Sequence, residues 1–66
     1  MHGAVWHYNE RSQDGYIIGR DKQRYSFSRA DYRHAKDPTI GAMVEFQVEG
    51  ETAKEIMVIT SASKNM

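Results

Sequence analysis

Sixty-six residues with no cysteine make at most one small domain, exclude disulfide support and rule out a thiolate metal site. No stretch approaches the ~20 apolar residues of a membrane span, and the first residues lack the basic start and apolar run of a secretory leader, so the expectation is a soluble, cytoplasmic chain. Formal net charge is zero, which argues against strong non-specific adhesion to nucleic acid.

The first element is "GAVWHYN", Gly3 to Asn9, whose aromatic and β-branched residues predict a strand. If that strand is regular, Trp6 and Tyr8 share one face and Val5 and His7 the other. "NERSQDG" follows and ends in Asp-Gly, which is turn chemistry. "YIIG" is a second short strand, and "RDKQ" is a charged connection able to close a hairpin. "RYSFS", Arg24 to Ser28, alternates at period two, with Tyr25 and Phe27 on a core face and Ser26 and Ser28 outside.

Ser28 is a candidate N-cap, with Asp31 in the first turn, so one short helix or a single 3₁₀ turn is expected over about 29–35. Pro38 forbids much continuation and pushes Asp37 towards an extended conformation. "GAMVEFQVEG", Gly41 to Gly50, reads as a strand with Val44, Phe46 and Val48 on one face. "TAKEIMVI", Thr52 to Ile59, is the last strand. Ala53, Ile56 and Val58 cannot share a face at strict period two, so a bulge is expected near Lys54 or Glu55. The remainder, 60–66, reads as a disordered polar tail.

Five strands and one short helical piece in 1–59 favour closure, because an open sheet would leave two edges and little core. The expected fold is all-β: a five-stranded antiparallel Greek-key barrel of the OB type, with the helical piece between strands three and four. Charge is divided along the chain. From Arg11 to Lys36 there are seven basic residues against three acids; from Asp37 to Ile59 there are five acids against Lys54. Such asymmetry hints at a polar partner, although two solvated faces would look the same.

On these residues the chain resembles a cold-shock domain. That family opens with Gly-x-Val-x-Trp-Phe-Asn, and Gly3, Val5, Tyr8 and Asn9 fit it. Its first ribonucleoprotein motif, Lys-Gly-Phe-Gly-Phe-Ile, falls on Ser12, Gln13, Asp14, Gly15, Tyr16 and Ile17. Its second, Val-Phe-Val-His, falls on Tyr25, Ser26, Phe27 and Ser28. "GAMVEFQVEG", Ala53 and Ile56 resemble the closing strand pair. The resemblance implies a module that stacks the bases of a single strand on exposed aromatics and meets its phosphates with Lys and Arg.

Several positions depart from that pattern. His7 stands where the family has tryptophan, Ser12 where it has lysine, and Asp14 where it has its first aromatic. Ser26 replaces a phenylalanine and Ser28 a histidine, while Tyr16 keeps a ring. Losing two or three stacks would weaken binding by about two to five orders of magnitude.

The expected nucleic-acid site is therefore Trp6, His7 and Tyr16 for stacking, with Lys22, Arg24 and Arg29 for phosphates, and its partner is single-stranded DNA or RNA held weakly. The rival expectation is a protein-interaction or regulatory module that kept the barrel and lost the stacking surface. Short barrels of this kind also resemble heads fused to bacterial membrane proteins, although these residues themselves suggest no membrane contact. His2, His7 and His34 make no metal pattern, no nucleophile elbow or phosphate loop is present, and no catalytic residue, cofactor or small-molecule substrate is expected.

Overall fold

The computed structural model describes residues 1–60. Five strands form: β1 (His2–Asn9), β2 (Asp14–Gly19), β3 (Arg24–Ser28), β4 (Met43–Glu49) and β5 (Thr52–Thr60). They close into a barrel in the order β1-β2-β3-β5-β4, with β4 returning to β1. This is the Greek-key order of the OB architecture, with a 3₁₀ turn (Arg29–Asp31) between β3 and β4. Neighbouring strands run antiparallel except β3 and β5, which run parallel at a single pair, Ser26 with Thr52. Of the expected polar tail, Thr60 is the last residue of β5, and 61–66 lie outside the described residues.

Residues opposite one another on neighbouring strands point to the same side, so the register sorts the core from the surface. Val5, Ile17 and Tyr25 form one inward row, Tyr8, Gly15 and Phe27 a second, and Gly3, Val44 and Val58 a third. Val5, Ile17, Phe27, Val44, Phe46, Ala53 and Ile56 are buried. Tyr25 and Phe27 take the core positions expected of them, and Tyr25 packs its ring 5.5 Å from that of Phe46. Buried Tyr25 needs a partner for its hydroxyl, and it donates to Asp21 Oδ2 at 2.5 Å.

Strand one is not regular. The register slips between Val5, opposite Ile17, and His7, opposite Tyr16. The bulge leaves Trp6 without a partner and reverses the side on which every later residue points. Tyr8 consequently turns inward and stacks on Phe27 at 6.1 Å and 15°, while Trp6 and His7 both point outward. The expected pairing of Trp6 with Tyr8 on one face is corrected accordingly.

The Asp14-Gly15 pair is not the β1–β2 turn. Asn9 makes that turn, its Oδ1 accepting from the backbone N–H groups of Arg11 (2.9 Å) and Ser12 (3.3 Å), and Gln13 takes the left-handed conformation at φ 56°. Gly15 lies inside β2, where a Cβ would stand 2.0 Å from the His7 carbonyl oxygen. Only a residue without a side chain allows β1 and β2 to approach so closely beside the bulge.

The bulge expected near Lys54 or Glu55 is present. Glu55 adopts φ 53°, and three steps on β5 face two on β4 between Glu45 and Gln47. It turns Ile56 into the core after Ala53. Val48 departs from expectation, being 42% exposed. It shares a side with Ala53, but β1 accompanies β4 only as far as Glu45, so nothing closes over Val48.

The helical piece is a single 3₁₀ turn, one of the two forms expected, and it covers Arg29–Asp31 with Tyr32 as its C-cap, stopping short of Ala35. Ser28 occupies the N-cap position without capping; its hydroxyl donates to Asp31 Oδ2 at 3.4 Å. Tyr32 then bridges to Ile56, buries its ring 6.1 Å from that of Phe27, and plugs this end of the barrel.

Candidate nucleic-acid interface

The outward residues of β1, β2 and β3 carry the candidate site. His7, Tyr16 and Ser26 stand in one row across the three strands, and Thr52 on β5 extends it. Tyr16 is 37% exposed. The His7 ring lies 6.0 Å from the Tyr16 ring, tilted by 31°. The Arg24 guanidinium lies over the Tyr16 ring, 4.8 Å from its centroid. Arg24 is opposite Ile18 in the ladder, so its long side chain reaches back diagonally to the ring.

A groove of about 530 Å³ opens beside this row. Its walls include His7, Asp14, Tyr16, Ser26, Thr52 and Lys54. It lies where β3 and β5 diverge, because the two strands share one pair and the chain then leaves through the 3₁₀ turn. The small residues Ser26 and Thr52 keep the space beside Tyr16 open.

Charge in the groove is mixed. Lys54 Nζ lies 3.5 Å from Asp31 Oδ2, so these two largely cancel. Asp14 Oδ1 accepts from the Ser12 hydroxyl at 2.5 Å. Among the described residues no ion pair holds Arg24. The positive charge free to meet an anion at the ring is therefore that of Arg24.

Of the residues singled out in the sequence, the fold brings together His7, Tyr16 and Arg24. Trp6 is nearby along the chain and 65% exposed, but it stands on the bulge and is not part of the groove wall. Lys22 sits at the tip of the β2–β3 hairpin in the left-handed conformation, φ 66°, donating its backbone N–H to the Gly19 carbonyl at 2.9 Å.

Arg29 is engaged elsewhere. Its guanidinium donates to Asp37 Oδ1 (3.1 Å) and to the carbonyls of Tyr32 (3.0 Å), His34 (3.1 Å), Ala35 (3.3 Å) and Lys36 (3.4 Å). It lies 5.4 Å from the Tyr32 centroid. With its donors turned inward, Arg29 organises the loop after the 3₁₀ turn rather than presenting a cation to a phosphate. Burial pushes the Tyr32 phenol up, and Arg29 beside it acts in the opposite sense.

Sequence reasoning passed over Thr52, Lys54 and Asp31 as groove residues. The available signal was topological, since the OB order places β5 beside β3 and so brings residues about 26 positions apart to one wall. Among the described residues no group of three His, Asp or Glu is placed to hold a metal ion, and no helix is long and apolar enough to cross a membrane. No protein-family model matches the chain, and no curated protein matches it.

Proposed function

We propose that this barrel is a non-enzymatic, single-stranded nucleic-acid-binding module of cold-shock type, with a short and weak stacking surface. The observation that carries the reading is the outward His7–Tyr16–Ser26 row with the Arg24 guanidinium beside the ring, at the mouth of a groove between β3 and β5. OB barrels use the β2–β3 face for oligonucleotides, and a ring beside a cation supplies both a stack and a phosphate contact. His7 and Tyr16 hold the stacking positions, with Trp6 at the margin. Arg24 meets the phosphate, and Lys22 extends the positive edge to the hairpin tip.

One or two stacks at ~1–3 kcal/mol each support only modest affinity. The test is a titration with short oligothymidylate or oligouridylate at low salt, following the fluorescence of the single tryptophan, Trp6. A saturable change that disappears in Tyr16→Ala is expected. A flat response to high micromolar oligonucleotide would sink the reading.

A second reading is supported by a different surface. The outer face of β4 and β5 exposes Met43, Met57 and Ile59, with Ile40 leading into it. Glu45, Glu49, Glu51 and Glu55 are exposed on the same hairpin. An apolar patch with acidic surroundings suits a basic protein segment rather than a polyanion. If this surface is the working one, Met57→Asp abolishes capture of a protein partner while Tyr16→Ala does not. A pull-down that retrieves nucleic acid alone counts against it.

A further inference from the structure

Asp14 is the residue least suited to a general stacking groove, because it sets a carboxylate where a polyanion must approach. It stands outward on β2, two residues before Tyr16 and on the same side of the strand, and both line the groove. Only Asp14 Oδ1 is engaged, by Ser12; no side-chain hydrogen bond among the described residues occupies Oδ2. Arg24 reaches the same ring by way of β3. Tyr16 is thus a stacking platform with an acceptor group from its own strand and a donor fork from the next.

Resting on the nucleic-acid reading above, we propose that this platform selects guanine. A guanine on Tyr16 draws the guanidinium from the ring face, and from the phosphate it meets on strands without guanine, to the base edge, where its fork matches the paired acceptors O6 and N7. The Asp14 carboxylate takes the donors of the Watson–Crick edge, N1–H and the N2 amino group. Guanine is the base that offers paired acceptors on one edge and paired donors on the other. Cytosine and adenine give a carboxylate one amino group next to a repelling ring nitrogen. Thymine and uracil flank their single N–H with two carbonyls. Ser26, opposite Tyr16, and Thr52 beyond it are small enough to leave room for a purine. In this arrangement Asp14 discriminates among bases, and its charge becomes a cost only to the wrong ones.

The test compares labelled oligothymidylate, the same strand with one central guanine, and the matching strands with one cytosine or one adenine. One good bidentate contact corresponds to about 5- to 150-fold tighter binding of the guanine strand. Asp14→Ala is expected to lower guanine-strand affinity to the thymine level and leave the thymine strand unchanged or slightly tighter. Replacing the guanine by inosine, which lacks the N2 amino group, should remove part of the preference in the wild-type protein, independently of any effect of the substitution on folding. Guanosine monophosphate is the second arm. Competition by the mononucleotide at equal affinity supports the guanine assignment and makes free nucleotide the source; competition only by the strand supports an oligonucleotide.

Equal binding of all the strands, or tightening of all of them alike in Asp14→Ala, overturns guanine selection while leaving the nucleic-acid reading intact. Binding of none overturns both.

Discussion

Two arginines assigned the same role by sequence occupy different environments, and that difference is measurable. Arg24 has a ring as its partner, whereas Arg29 is 23% exposed and hydrogen-bonded to its own loop. Arg24→Ala is expected to reduce the salt dependence of oligothymidylate binding, where no guanine takes its fork, by about one ion and leave stability nearly unchanged. Arg29→Ala is expected to leave the salt slope alone and to lower stability by about 1–3 kcal/mol, because several carbonyls lose a charged donor. Lysine cannot replace its fork. Oligonucleotide titration at several salt concentrations and urea denaturation of the same two variants distinguish the roles. A second residue-scale prediction concerns the Asp21–Tyr25 hydrogen bond, which pins the β2–β3 hairpin to the core. The bond from Tyr25 holds the Asp21 carboxyl below its ordinary 3.8, and the bond to Asp21, with burial, pushes the Tyr25 phenol above 10.0. The carboxylate's contribution is present above pH 3.8 and fades as pH falls through the lowered value. The phenol's contribution is present below pH 10.0 and fades as pH rises through the raised one. Asp21→Asn should therefore flatten the acid side of the profile of Tm against pH; an acid limb identical to wild type would show that this bond does not couple to folding.

At the scale of single elements, bulges decide which side chains turn inward, on β1 at Trp6 and on β5 at Glu55. The bulge on β5 was legible because Ala53, Ile56 and Val58 break period two, so an apolar pattern exposed it. The bulge on β1 left no such mark. Val5, Trp6, His7 and Tyr8 can each serve as a core or a surface residue, and a one-residue slip in that run changes no apolar count. Its signature lies instead on the partner strand, in Gly15, which the Asp-Gly pair disguised as a turn residue. Gly15→Ala tests this assignment. The added methyl meets the backbone of His7 and Tyr8, not a movable side chain, so the strands must separate. A loss of about 1–3 kcal/mol is expected in urea denaturation, together with chemical-shift changes at Trp6 and His7 across the strand pair. An alanine tolerated without loss would mean that Gly15 serves the turn after all. Tyr32 was obscured for a related reason. It sits in a charged run, "SRADYRHAK", and only the bridge to Ile56 makes it part of the core.

Across the whole molecule, the barrel closes least firmly between β3 and β5, and the candidate groove opens there. Ser26 pairs with Thr52, and the backbone bonds near that line include Ser26 N–H to the Glu51 carbonyl at 3.0 Å and Arg33 N–H to the Ile56 carbonyl at 2.7 Å. The antiparallel neighbours β1–β2 and β2–β3 are joined along most of their length. The cause is topological, since a parallel neighbour brought in from far along the chain contributes few aligned bonds before the 3₁₀ turn carries the chain away. Local opening is easiest where backbone bonds are fewest. The Ser26 amide is therefore expected to exchange with deuterium faster than the amides of Ile17 and Tyr25 in the adjoining ladder. A ligand lying in the groove spans Tyr16, Ser26 and Thr52 and so ties the two sides together. Oligonucleotide at about 100 times its Kd should add about 2.7 kcal/mol to global stability by mass action, and protection should rise first at Ser26. If protection rises instead along Met43, Glu45 and Met57, the ligand sits on the outer β4–β5 face and the groove is not its site.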